Sequence, residues 1–103
     1  MEQVQSTKGI TVLLFTAGWC PDCVFIKPFM PQIEKEFPQI TFYQVNRDDH
    51  MELCQQLNVM GIPSFVAFEG GKEISRFVSR LRKTKPEITA WLNETLEKGE
   101  AHA

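Results

Sequence analysis

Much is scarce in this 103-residue chain, and each scarcity closes a class of function. Positive charge is not in excess: the formal net charge is −2, so no basic patch supports nucleic-acid binding. No apolar run approaches the length of a membrane span. The opening Met1-Glu2-Gln3-Val4-Gln5 has neither the basic segment nor the apolar stretch of a secretion signal, so a cytoplasmic location is expected. Cysteine is limited to three, an odd number, which excludes a fully paired disulfide framework within one chain. In a reducing compartment, a cysteine pair is catalytic or metal-binding before it is structural. Internal repeats, low-complexity tracts and linkers are also lacking, so residues 1–103 read as one domain. Hydrophobic residues make up 43%, with eight Phe and two Trp, enough for a core and against disorder.

Most of what is present reads as scaffold. The first eight residues are mostly polar and allow at most a short helix. The unbroken apolar run Ile10 to Thr16 is expected of a central strand covered on both faces. From Pro21 to Phe37 the pattern becomes helical, with Phe25, Ile26, Phe29, Met30, Ile33 and Phe37 on one stripe. Pro28 lies inside that stripe and should kink the axis, and Pro38 helps to end it. Ile40 to Asn46 is a second strand, far enough on for the helix to be a right-handed crossover between parallel strands.

Asp48 and Asp49 are placed to cap a short helix with Leu53, Cys54 and Leu57 inward. Ser64 to Phe68 and roughly Glu73 to Val78 form a hairpin around Glu69-Gly70-Gly71-Lys72. Thr84-Lys85-Pro86-Glu87 has capping-box spacing and opens a last helix. Its stripe is Ile88, Trp91, Leu92 and Leu96; Gly99 is expected to close it and leave a loose tail. The order is βαβαββα, giving an α/β fold with one mixed four-stranded sheet flanked by helices.

The chemistry concentrates in Trp19-Cys20-Pro21-Asp22-Cys23. Such a C-x-x-C in a βαβ pattern reads as a dithiol redox site. Reaction sites of open α/β sheets lie beyond the carboxyl ends of the parallel strands, where Cys20 falls. With Cys20 as N-cap, Pro21 takes the first helical position, where its missing N–H costs little. The N–H groups of Asp22 and Cys23 then point back to the Cys20 sulfur, and the helix dipole favours negative charge there. That raises the fraction of attacking thiolate. Cys23, one turn on and expected to be the less exposed, can resolve a mixed disulfide. Asp22 supports the helix start, but its charge opposes the thiolate and favours the disulfide.

The segment Phe15 to Cys23, the helix-kinking Pro28 and Gly61-Ile62-Pro63-Ser64 together resemble the thioredoxin superfamily. The resemblance extends from about Lys8 to Lys98. It implies a thioredoxin-like fold with a shortened N-terminus of four strands, and a disulfide-reductase activity with Cys20 and Cys23 catalytic. Pro21 and Asp22 support them, and Pro63 is implied to be cis, facing the cysteines. Trp19, Ile62, Pro63 and Ser79 are implied to meet substrate. No bound cofactor is implied beyond the redox-active Cys20–Cys23 pair. The partners implied are disulfide-containing proteins or small molecules, with thioredoxin reductase as electron donor, and the chain is expected to be a monomer. Three departures stand out. Pro21-Asp22 replaces the usual Gly-Pro, Leu14 takes the place of a buried Asp, and Ser79, beside Arg80, replaces a glycine of the substrate groove.

Three rival readings use the same residues. A glutathione-dependent, glutaredoxin-like enzyme also carries Cys-Pro-x-Cys, although the Trp19 context argues against it. A redox-sensing or partner-binding domain needs no fast catalysis. A metal site would need more ligands than two cysteines; His50 and Cys54 are near in sequence, but Cys54 falls on an apolar stripe. His50 is read as an exposed helix-start residue, and His102 as part of the tail.

Overall fold

The structure, a computed structural model, describes residues 9–78 and 83–102. The first strand, β1, is Ile10–Thr16. Its side chains alternate between two cores. Val12 and Leu14 join Ile26, Met30, Ile33, Phe65, Ile88 and Leu92 on one face. Leu13 and Phe15 join Cys54, Val59, Val66 and Phe68 on the other. A strand covered on both faces has no solvent side, and this is why its sequence is continuously apolar.

The helical segment after β1 is broken where proline requires it. Helix α1, Pro21–Ile26, passes through a 3-10 turn at Lys27–Phe29 into α2, Met30–Glu36. Pro28 cannot donate the helical bond, and Pro31 sits in the first turn of α2, where none is needed. Ile26, Met30, Ile33 and Phe37 bury against β1, while Phe25 and Phe29 pack edge-on at the margin of that core.

Strand β2, Ile40–Asn46, pairs parallel with β1 in the register Ile10↔Ile40 through Thr16↔Asn46. Helix α3, Met51–Gln56, follows. Asp48 and Asp49 do not cap it; the N-cap is His50, which makes no side-chain capping bond. The turn is instead organised by Asn46, whose Oδ1 accepts the N–H groups of Asp48 and Asp49 at 2.8 and 3.3 Å. An Asx turn one step earlier competes successfully with an N-cap here. Asn58, at φ 56°, turns the chain out of α3, a conformation asparagine tolerates.

Strands β3, Ser64–Glu69, and β4, Lys72–Phe77, are antiparallel, and the sheet order is β2-β1-β3-β4. Gly70 and Gly71 both adopt positive φ, 62° and 83°, as a two-residue type I′ turn requires. Helix α4, Lys85–His102, opens with the capping box: Thr84 Oγ1 and Glu87 Oε1 are 2.9 Å apart, and the Glu87 N–H donates to Thr84. It runs through Gly99 rather than ending there, so the tail to His102 is helical. One glycine costs a helix only about 1 kcal/mol, too little to stop it between good helix formers. Ile88, Trp91 and Leu92 are buried, and Trp91 anchors to β4 by donating its Nε1–H to Ser75 at 3.0 Å. Among the described residues no helix is long and apolar enough to cross a membrane.

Candidate active site

The site forms where β1 ends and α1 begins. Cys20 is the N-cap of α1 with extended backbone angles, φ −89° and ψ 114°, and Pro21 occupies the first helical position. The Cys23 N–H donates to Cys20 Sγ at 3.3 Å. Cys23 is one of the two residues whose N–H groups are expected to point there, and it supplies a helix-terminal donor aimed at sulfur. Both thiols are free, and they are equally withdrawn from solvent, at 6% exposure for Cys20 and 5% for Cys23. The expected difference in exposure is therefore absent. Both sulfurs pack against Ala17 and Ile62, which close over them.

The opposite wall comes from the loop before β3. The Ile62–Pro63 peptide bond is cis, and Pro63 is fully buried. Cys20 Sγ points its weak donor at the Ile62 carbonyl, 3.8 Å away. Ser64 donates its hydroxyl to the Gly61 carbonyl and so ties the loop to the start of β3. Ser79 and Arg80 lie outside the described residues.

Trp19 stands beside the pair with 61% of its surface exposed, yet it is tethered. Its Nε1–H donates to Asp48 Oδ2 at 2.7 Å, and the Arg47 guanidinium lies 5.7 Å from its ring centroid. The parallel register sets Thr16 opposite Asn46, so the loops after β1 and β2 are neighbours, and Arg47 N–H donates to the Thr16 carbonyl at 2.8 Å. Asp48 was legible only as a helix cap; the parallel pairing was the signal that could have placed it against Trp19.

Behind Cys23 lies a cavity of about 150 Å³, lined by Leu14, Thr16, Cys23, Lys27, Met30 and Gln44 among others. Leu14, buried to 2% exposure, puts a hydrocarbon where the family resemblance implies a carboxylate. The Cys23 thiol is pushed up from 9.0 to about 12, first by burial and then by its hydrogen bond with Cys20. The charges of Cys20 and Asp22 push the same way, and a backbone hydrogen bond at Ala17 opposes them. Lys83, which the sequence pattern gave no reason to single out, is buried to 1% exposure just before the capping box. Burial holds its ammonium below the usual lysine range, against the attraction of Asp22, Cys23, Glu87 and Cys20. Cys54 lies in the other core, where burial raises its thiol. Among the described residues no group of three or more His, Cys, Asp or Glu side chains is gathered as a metal site.

Comparison with known proteins agrees with this geometry. The Thioredoxin family model matches residues 1–94. A curated thioredoxin from Mycoplasma genitalium is 33% identical over 85 residues, covering 82% of this chain and 83% of that one. A thioredoxin H-type from Fagopyrum esculentum is 32% identical over 77 residues, 75% of this chain and 66% of the relative. The crystal structure of thioredoxin from Trypanosoma brucei brucei superposes with a TM-score of 0.80 at 26% identity, covering 93% of this chain and 82% of that one. With its four-stranded sheet, its paired cysteines at the start of α1 and its cis Ile62–Pro63 bond, the chain belongs to the thioredoxin family of thiol–disulfide oxidoreductases.

Proposed function

We propose that this chain works mainly as a cytoplasmic disulfide reductase through a Cys20–Cys23 dithiol cycle. The observation that carries the reading is the Cys23 N–H on Cys20 Sγ at the first turn of α1. It sets Cys20 at the start of a helix with a backbone donor on its sulfur, the place suited to the nucleophile of thiol–disulfide exchange. Cys20 attacks one sulfur of a substrate disulfide, and the S–S bond breaks. The departing sulfur leaves as a thiolate that takes up a proton. Cys23 then loses its proton and attacks Cys20 Sγ, releasing the second substrate sulfur and leaving the Cys20–Cys23 disulfide. Two electrons from a separate reductase, of the thioredoxin reductase kind, restore the dithiol.

Trp19, Ile62 and Pro63 form the face that meets substrate. The exposed ring of Trp19 offers apolar area beside the sulfur, and Ile62 packs on both cysteines. The pair is itself the redox group, so the cycle uses no bound cofactor, and one copy of the chain holds every residue it needs. The unusual Asp22 places a negative charge beside the thiols and makes the pair more reducing.

The test is NADPH-dependent reduction of a protein disulfide with a thioredoxin reductase present. We expect turnover by the wild-type chain and none by Cys20→Ser. Turnover that required glutathione and no reductase would assign the chain to the glutaredoxin-like reading instead.

A further inference from the structure

Trp19, Met51 and Met60 are large apolar side chains, yet they stay exposed, at 61, 50 and 72%. Met51 and Met60 wall a groove of about 170 Å³, with the buried Cys54 and Val59 in its floor. Among the described residues Arg47 is the one charged side chain that lines it. Arg47 also joins the groove to the dithiol corner. Its backbone N–H donates to the Thr16 carbonyl at the end of β1, 2.8 Å away, and its guanidinium lies 5.7 Å from the centroid of the Trp19 ring. Trp19 adjoins Cys20, and Met60 stands two residues before the Ile62 that closes over both sulfurs. The groove therefore runs on from the face read above as meeting substrate.

The guanidinium is only loosely engaged within the chain. Its ion pair with Asp48 is long, 3.8 Å, and the other Asp48 oxygen accepts the Trp19 N–H. Among the described residues no other acceptor meets it, and 39% of the side chain lies open to solvent. A planar fork of N–H donors in that state is matched by a carboxylate. Methionine walls adapt to an apolar side chain of varied shape. An extended polypeptide carries both kinds of group on neighbouring residues. Glutathione disulfide has carboxylates but no apolar side chain.

We propose that Arg47 is a specificity-determining residue, which selects polypeptide disulfides that carry an acidic and an apolar side chain close to the reacting cysteine. The inference rests on the dithiol reading above and names the substrate class of that site. Arg47 acts before sulfur exchange: it pairs with the carboxylate while the apolar side chain enters between Met51 and Met60, and the disulfide comes to Cys20. A basic residue at the same place meets like charge and is disfavoured.

The experiment is single-turnover reduction of synthetic peptides by the dithiothreitol-reduced protein, freed of dithiothreitol, with the released peptide thiol read by chromatography. Each peptide holds one cysteine in a disulfide with 2-mercaptoethanol. Glu, Gln or Lys is placed beside Leu at successive positions on either side of that cysteine. Exchanging Glu for Lys turns attraction into repulsion, so at the best position we expect Glu to react about five- to tenfold faster than Lys, a ratio that shrinks with added salt. Arg47→Lys should keep the order, Arg47→Gln should bring the ratio near one, and Arg47→Glu should invert it. Both peptides are read with the same protein, so a general change in thiol reactivity leaves the ratio unmoved. A wild-type ratio near one at every position, or a ratio that survives Arg47→Gln, would overturn this inference alone. Faster reduction of glutathione disulfide than of every acidic peptide would assign the cation to a small anionic disulfide and also overturn it. A wild-type chain that reduces none of these disulfides would overturn the dithiol reading itself, and this inference with it.

Discussion

Trp19 and Asp48 are joined by a 2.7 Å hydrogen bond that spans the loops after two parallel strands. The exposed indole is therefore held in one place rather than left to swing. Removing the acceptor with Asp48→Ala should cost stability by about 1 kcal/mol or less, because the bond is open to water. The larger effect should fall on substrate reduction, with KM raised and kcat little changed. Steady-state kinetics together with Trp19 fluorescence anisotropy check this, and an unchanged KM would dissociate the tether from substrate binding.

Asp22 lies in the first turn of α1 and raises the Cys23 thiol by its charge. Asp22→Asn should accordingly favour the dithiol and shift the midpoint potential to a less negative value. Equilibration with a reference dithiol measures it, and a lowered or unmoved potential would show that the carboxylate does not act on the pair.

The reduced protein should weaken in alkali. Cys23 keeps its proton in the folded state up to about 12, whereas in the unfolded chain it is lost near 9.0. Between those values the native state binds more protons than the unfolded state, so unfolding free energy falls as pH rises. Below about pH 9 this contribution is fully present. Urea unfolding of the reduced chain and of Cys23→Ser between about pH 8 and about pH 11 should show the extra slope only in the former.

Phe65 is fully buried, in contact with Phe77 and Trp91, at ring-centroid distances of 6.4 and 5.7 Å. Phe65→Ala should destabilise the fold by about 3–5 kcal/mol, from lost burial and the cavity left behind. A loss under about 1 kcal/mol, read by chemical denaturation, would mean that this aromatic cluster is not central to the core.

Local signals in the sequence were strong where hydrophobic period, proline and glycine decide the backbone. The run Ile10 to Thr16, the break around Pro28, the hairpin at Gly70-Gly71 and the capping box at Thr84 all appear in the fold. The Cys20 cap was legible because C-x-x-C beside a strand end leaves few other geometries. What escaped depends on which segments meet in space. Asp48 looked like a helix cap, and only the parallel register brings it to Trp19. Gly99 looked like a stop signal, although a single glycine does not outweigh the helix around it. The near-equal burial of the two thiols follows from Ala17 and Ile62 closing over both, contacts that no spacing within one sequence shows.

The most direct measurement is a redox titration of the Cys20–Cys23 pair in the reduced-to-oxidised range, with free thiols trapped by alkylation and counted by mass. Cys54→Ser serves as the control, so that the buried third thiol does not confuse the count. We expect a reversible two-electron transition at a potential on the order of the −270 mV typical of thioredoxins. A midpoint near −120 mV, the range of strong oxidants, would contradict a reductase, and failure to form the disulfide at all would contradict the dithiol cycle itself.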